Sequence, residues 1–191
     1  MVSENVKNEF LKRLNNITRE GSEDLKKWIL NNTDYETAPA SSRYHSNFEG
    51  GWIVHSIKVM DIFSEKNKIY NLGLSEESVT ICALLHDLCK LNFYKIDYKN
   101  KKIDGEWTKV PFYTTDEKFP AGHGCKSVII MQQFMKLTPE EILAIEWHMG
   151  GYSSPQDYNS ISNAWYKYKS GVCLHTSDLE ATYIFEKIIN D

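Results

Sequence analysis

The chain has 191 residues, of which 41% are hydrophobic, 25% charged and 13% aromatic, as is typical of one soluble globular domain. Its formal net charge of −4 argues against a protein that coats long nucleic acids, although a local patch can still attract a small anion. Residues 1–9 hold no apolar signal-peptide core, and no stretch is long and apolar enough to cross a membrane. We therefore expect a cytoplasmic protein that does not bind membranes.

The cysteines support the same compartment. They form no C-x-x-C pair, so reduced thiols are the simplest expectation. The four are Cys82, Cys89, Cys125 and Cys173.

Apolar residues at helical spacing predict several helices in the first 90 residues. The first follows a possible Ser3 cap and carries Val6, Phe10, Leu14 and Ile17. Ser22 is the predicted cap of the second helix. A longer helix is predicted over residues 52–67. Another begins at Ser75 and continues into His86 and Asp87.

Residues 92–116 interrupt the helical pattern with strand-prone side chains. Residues 100–105 have the composition of a polar turn, so the segment is predicted to be a β-hairpin inserted into a helical domain. Lysines outnumber acids over residues 90–109. The hairpin is either a basic, aromatic flap that covers a phosphate-bearing base or a solvated hairpin with no such role.

Helical patterning resumes over residues 121–135. Thr138 then predicts an N-cap, with Pro139 at the first helical position and Glu141 closing a capping box. This helix is predicted to end at residues 150–151, directly after His148.

The last part of the chain is predicted to be a loop over residues 152–163 and a final helix over residues 171–190. That helix carries His175 and Asp178.

Adjacent His86 and Asp87 side chains, within the apolar run of residues 83–90, place a nitrogen and an oxygen donor side by side. That pairing suits a divalent metal ion, which needs further ligands from elsewhere in the chain. A helical bundle can bring such residues together from separate helices. Taken singly, each is ordinarily a packed or surface residue. The candidates are His55, His123, His148 and Asp178.

Three segments resemble the HD-domain metal-dependent phosphohydrolases, whose pattern is a His, a His-Asp pair and a distant Asp. They are residues 50–55 (GGWIVH), 83–90 (ALLHDLCK) and 174–181 (LHTSDLEA). The resemblance covers residues 43–186 and implies an all-α HD-domain helical bundle. We expect a single domain over residues 1–191, with residues 92–116 as the inserted β-hairpin.

The resemblance also implies the ligands of one or two divalent metal ions. His55, His86, Asp87 and Asp178 are expected to hold the first ion. His123 and His148 are expected to hold a second, with Asp87 shared and a metal-bound hydroxide as the nucleophile. The donor set leaves Mn, Fe, Co, Ni, Zn or Mg open.

Further residues near these motifs are candidates for substrate contacts, each with a structural alternative. Lys90 and Lys126 lie one turn after motif residues, so each either binds a phosphate oxygen or forms a structural salt bridge. His45 either donates to the substrate or leaving group or has no role, and Tyr44 beside it is a candidate substrate contact. His175 is expected in a supporting or packing role. Cys89 is a candidate for an H-x-x-C half-site with His86, and packing is its alternative.

The resulting hypothesis is a phosphohydrolase that cleaves a phosphomonoester or phosphodiester of a nucleotide. A short single-stranded nucleic acid is also possible as the substrate, because aromatic side chains can stack on bases. One alternative is a catalytically inactive module of HD fold that binds a nucleotide or metal. Another is a helical adaptor that binds neither. The sequence leaves the oligomeric state open.

Overall fold

The computed structural model describes residues 2–186, and these are mostly helical with one antiparallel hairpin. The elements within that range are α1 (Glu4–Leu14), α2 (Ser22–Asn32), α3 (Gly51–Ile69), α4 (Glu76–Val79), β1 (Tyr94–Ile103), β2 (Glu106–Thr115), α5 (His123–Gln132), α6 (Pro139–Glu146), α7 (Tyr158–Lys167) and α8 (Lys169–Glu180). Two π-helical turns continue α4 and α8, over Thr80–Leu84 and Ala181–Phe185. The prediction of a helical protein with an inserted β-hairpin is confirmed.

Two of the predicted helix starts are confirmed by their capping bonds, and a third is wrong. The Ser75 hydroxyl accepts a hydrogen bond at the start of α4, and Thr138 and Glu141 form the predicted capping box of α6. Ser22 is instead the first residue of α2, and the cap is Gly21 with φ of +83°. A Cβ atom at Gly21 would lie 1.8 Å from a backbone oxygen, so a glycine is needed there.

Several predicted boundaries differ from the structure. The loop predicted over residues 152–163 is wrong, because α7 occupies much of it and buries Ile161 and Ala164, three residues apart. The helix predicted over 121–135 is shorter at both ends, as α5 shows. Of the helix predicted over 171–190, the part beyond residue 186 lies outside the described residues.

The hairpin lies within the predicted range, but its strands are longer and its turn is shorter than predicted. Its strands pair continuously from Tyr94 opposite Thr115 to Ile103 opposite Glu106. The turn predicted at residues 100–105 is therefore wrong for its first four residues, which lie in β1. The connection is the dipeptide Asp104-Gly105, with φ of +50° and +90°. Positive φ at both central residues matches the tight turn that favours an Asp-Gly pair.

The long helix α3 lies at the centre of the core. It packs against α1, α8 and both π-helical turns, while α6 packs against α5 and α8. Among residues 2–186, no helix has the length and apolar character needed to span a bilayer. The largest fully buried side chains include Phe10, Leu14, Trp52, Ile53, Phe63, Leu84 and Leu85.

Candidate metal centre

His55 lies one turn into α3, and a pair of glycines determines how the chain enters that helix. Gly50 has φ of +80°, and a Cβ atom on Gly51 would lie 1.9 Å from the Ser46 carbonyl oxygen. This close approach packs the preceding segment against α3. The His45 ring therefore lies 4.7 Å from the His55 ring, measured between centroids.

Asp87 occupies the centre of a buried polar cluster. It follows His86 at the end of the π-helical turn after α4, and both side chains are buried. The indole nitrogen of Trp52 donates to the Asp87 carbonyl oxygen at 2.9 Å, which fixes the backbone. A single 3₁₀ turn then returns Lys90, whose ammonium lies 2.6 Å from Asp87 Oδ2.

Three other elements bring the remaining predicted metal ligands to this carboxylate. His123, the first residue of α5, places Nε2 at 2.6 Å from Asp87 Oδ1. His148, just beyond α6, places Nε2 at 3.5 Å from the same oxygen. Asp178 on α8 places Oδ1 at 3.2 Å from His55 Nε2. The fold thus gathers the six predicted metal ligands in one cluster, although they come from distant parts of the chain.

Two histidines of this cluster, His86 and His148, direct an unprotonated nitrogen inward. Nδ1 of His86 lies 2.8 Å from the Ala83 carbonyl oxygen, and Nδ1 of His148 lies 2.6 Å from that of Ile145. A carbonyl oxygen only accepts, so in each case Nδ1 carries the proton and Nε2 keeps its lone pair. Within residues 2–186, Nε2 of both His86 and His148 is buried and has no hydrogen-bond partner. Unpartnered nitrogens around a carboxylate are the donor set of a transition-metal site.

Sequence reasoning missed Glu186. Its carboxylate lies 2.8 Å from His55 Nδ1 and accepts a hydrogen bond from the Ser46 hydroxyl. It therefore holds the His55 ring with Nε2 directed at Asp178. Helical spacing could not have found it, because Glu186 follows the π-helical turn after α8 and has an extended backbone.

The charges of the cluster keep its carboxylates ionised. Burial alone would raise the pKa of Asp87, but Lys90 and the neighbouring imidazoles outweigh it and hold that pKa well below its usual range. Burial would likewise lower the pKa of His55, yet its hydrogen bonds to Asp178 and Glu186 raise that pKa to about 9. Ionised carboxylates are the form that binds a divalent cation.

The residues predicted to contact the substrate lie in different settings. Lys126 is mostly buried, with its ammonium 2.7 Å from Glu117 and 4.9 Å from the centre of the Phe93 ring. It is therefore paired away from Asp87. Tyr44 is 67% exposed. These two side chains lie outside the buried cluster.

His45, by contrast, lies against the cluster. Burial, with the charge of His55, lowers the pKa of His45 to about 4, so the ring is neutral at pH 7. Its Nε2 atom is buried and has no partner in the described part of the chain. A neutral imidazole keeps one N–H that can donate to a bound oxygen.

Two further side chains support the ligands. His175 Nδ1 donates to the His148 carbonyl oxygen at 2.6 Å, and its ring packs on Trp165. Cys89 Sγ lies 3.6 Å from His123 Nδ1, and burial raises the pKa of this thiol to about 12. Cys89 is thus a protonated thiol beside one candidate ligand.

Comparison with known proteins shows a distant similarity to a phosphodiesterase. The chain is 27% identical over 130 residues to the dihydroneopterin 2′,3′-cyclic phosphate phosphodiesterase of Methanocaldococcus jannaschii. The match covers 66% of this chain and 47% of that enzyme, so the chain spans about half the length of its relative. No family model matches the chain, and no solved structure matches it.

Proposed function

We propose that this chain is a phosphohydrolase of the HD type, formed as one domain with the hairpin inserted. The observation that carries the proposal is the convergence of buried, unpartnered imidazole nitrogens on the Asp87 carboxylate. The order of the ligands along the chain is the order that the HD pattern requires. A purely structural histidine cluster would use these nitrogens in hydrogen bonds.

The residues divide into two overlapping ligand sets. His55, His86, Asp87 and Asp178 form the first set. The second set consists of His123 and His148, with Asp87 shared between the two. When bound there, Mn, Fe, Co, Ni, Zn or Mg ions lower the pKa of water and neutralise charge on phosphoryl oxygens.

The chain's own side chains then orient the substrate. The Lys90 ammonium forms an ion pair with the Oδ2 oxygen of Asp87, and from this position it can also contact a phosphate oxygen. His45 donates its N–H to the phosphate or to the leaving oxygen. Exposed Tyr44 contacts the remainder of the substrate. Lys126 contributes only if a phosphate replaces Glu117 as its partner.

The substrate class is a small phosphate ester of a nucleotide or a similar heterocycle. The relative is named for a cyclic phosphodiester, so phosphodiesters are the first class to test and phosphomonoesters the second. The strand-rich hairpin supplies aromatic side chains on which a base can stack, and a short single strand therefore also fits.

The test couples metal content with turnover. Protein purified without chelators is expected to contain transition metal by mass spectrometry and to hydrolyse bis(p-nitrophenyl) phosphate or a 2′,3′-cyclic nucleotide. His148→Ala should lose metal and activity. The matched control is His175→Gln, which removes a histidine outside the ligand sets, keeps an amide that can donate to the His148 carbonyl oxygen, and should retain metal.

The outcomes separate the alternatives. Metal without hydrolysis of any phosphate ester would favour a binding module and refute the enzyme. Absence of metal from the wild-type protein would refute the whole proposal and favour a helical adaptor.

A further inference from the structure

A groove with a volume of about 940 Å³ separates the hairpin from the segment that precedes α3. Its walls carry three cationic side chains, Arg43, Lys99 and Lys101, and no carboxylate. They also carry the aromatic rings of Phe112 and Tyr113. In a chain of net charge −4, this is a local concentration of positive charge.

The three cations of the groove have no acidic partner within residues 2–186, unlike the mostly buried cations Arg19 and Lys126. Elsewhere Arg19 pairs with Glu141, and Lys126 pairs with Glu117. Among residues 2–186, the three groove cations form no ion pair; Lys99 lies instead 5.4 Å from the centre of the Phe112 ring. Unpaired cations beside aromatic faces are the elements that bind a nucleotide backbone and its bases.

The groove adjoins the candidate metal centre along the chain. Arg43 precedes His45 by two residues, so their Cα atoms lie within about 7 Å of each other. The His45 ring in turn packs against His55.

We propose that this groove binds the part of the substrate beyond the scissile phosphate, and that this part is a nucleoside with a second phosphate group. The substrate class is then a dinucleotide or a short single strand rather than a mononucleotide. This inference rests on the function proposed above. The cations neutralise the second phosphate, and the Phe112 ring, on the same face of the hairpin as Lys99 and Lys101, stacks on its base.

The hairpin offers a matched pair of double variants for the test. Lys99→Gln/Lys101→Gln removes two charges from the groove. Lys102→Gln/Lys109→Gln removes two charges from the opposite face of the same hairpin, because side chains alternate along each strand. Both members of the control pair are exposed and lie outside the groove lining.

Binding is measured first, by calorimetry with the full chain and a phosphorothioate-linked dinucleotide that bears a 5′-phosphate. The groove variant should bind about tenfold more weakly. Its log K should also fall less steeply with log salt concentration, the slope changing by up to about 0.7 for the one phosphate that the groove holds. The control variant should stay within about twofold of wild type. Equal weakening in both variants, or in neither, would overturn the proposal.

Turnover then separates this proposal from the proposed function. Wild type should cleave the 5′-phosphorylated dinucleotide with a higher kcat/KM than a 2′,3′-cyclic mononucleotide, and the groove variant should lose only that preference. Hydrolysis of both substrates with no preference would refute the groove and leave the phosphohydrolase standing. Groove-dependent binding without hydrolysis of either would refute the phosphohydrolase and leave a binding site.

Discussion

Replacing Asp87 with asparagine should destabilise the metal-free protein through Lys90. The Asp87 carboxylate is 1% exposed, and Lys90 is 9% exposed with its ammonium 2.6 Å away. Removing one partner of a buried pair costs about 3–5 kcal/mol, because the other charge stays buried without compensation. With an m-value of about 2 kcal/mol/M, the urea midpoint should fall by about 1.5–2.5 M. Asp87→Asn/Lys90→Met removes both charges and should recover most of that loss.

The assay is urea unfolding of the three proteins in excess chelator, with metal content measured separately on untreated samples. Both variants should lose bound metal, whereas only the single variant should lose stability. Equal midpoints for wild type and Asp87→Asn would refute the buried pairing. If the double variant unfolds as early as the single one, the loss arises from the histidines. Two metals retained in Asp87→Asn would refute the shared ligand.

Three further predictions address other contacts. Glu186→Ala should weaken metal affinity about 10–100-fold in competition with a chelator, since His55 Nδ1 loses the acceptor that holds its ring; unchanged affinity would contradict that positioning role. Burial would raise the pKa of Glu141, but its bonds to Arg19 hold that pKa below the ordinary value of 4.5. The ion pair therefore stabilises the fold fully above about pH 4.5, and this stabilisation is lost as the pH falls through the pKa of Glu141 in the folded state. The urea-derived free energy of unfolding should thus vary less between pH 5 and pH 3 in Glu141→Gln than in wild type, and parallel curves would refute this. Gly124→Ala would place Cβ 2.3 Å from a backbone oxygen of α6, so a loss of about 1–3 kcal/mol is expected by thermal unfolding, and an unchanged Tm would exclude close packing there.

The helical class and the hairpin could be predicted from the sequence because each rests on local signals. The capping box at Thr138 is a contact within four residues, and apolar spacing shows which face of α3 is buried. The helix α7 was not predicted because its polar composition favours a loop. Tertiary packing, with Ile161 and Ala164 buried, stabilises it as a helix.

The candidate site shows the same division between local and distant information. The order of the histidines and aspartates along the chain predicted a set of metal ligands, and the structure places these residues together. Their roles as ligands remain predictions. Geometry across elements was beyond the sequence: the pairing of Lys126 with Glu117 depends on how the hairpin's end meets α5. Glu186 likewise meets His55 only through the packing of the chain after α8 against α3.

The π-helical turns that flank the site make it sensitive to chain length in a specific way. Each turn holds one more residue per hydrogen-bonded ring than an α-helix, as if one residue had been inserted. Deleting a single residue from Thr80–Leu84 would return that turn to the α-helical ring size with the residues after it facing the same way, so His86 and Asp87 would keep their partners. Deleting one residue from the α-helical turn of α3 that precedes His55 would instead rotate the residues after it by about 100°. A chain can therefore lose one residue at these turns and keep the site, whereas the same loss at the start of α3 removes the site although every ligand remains in the sequence.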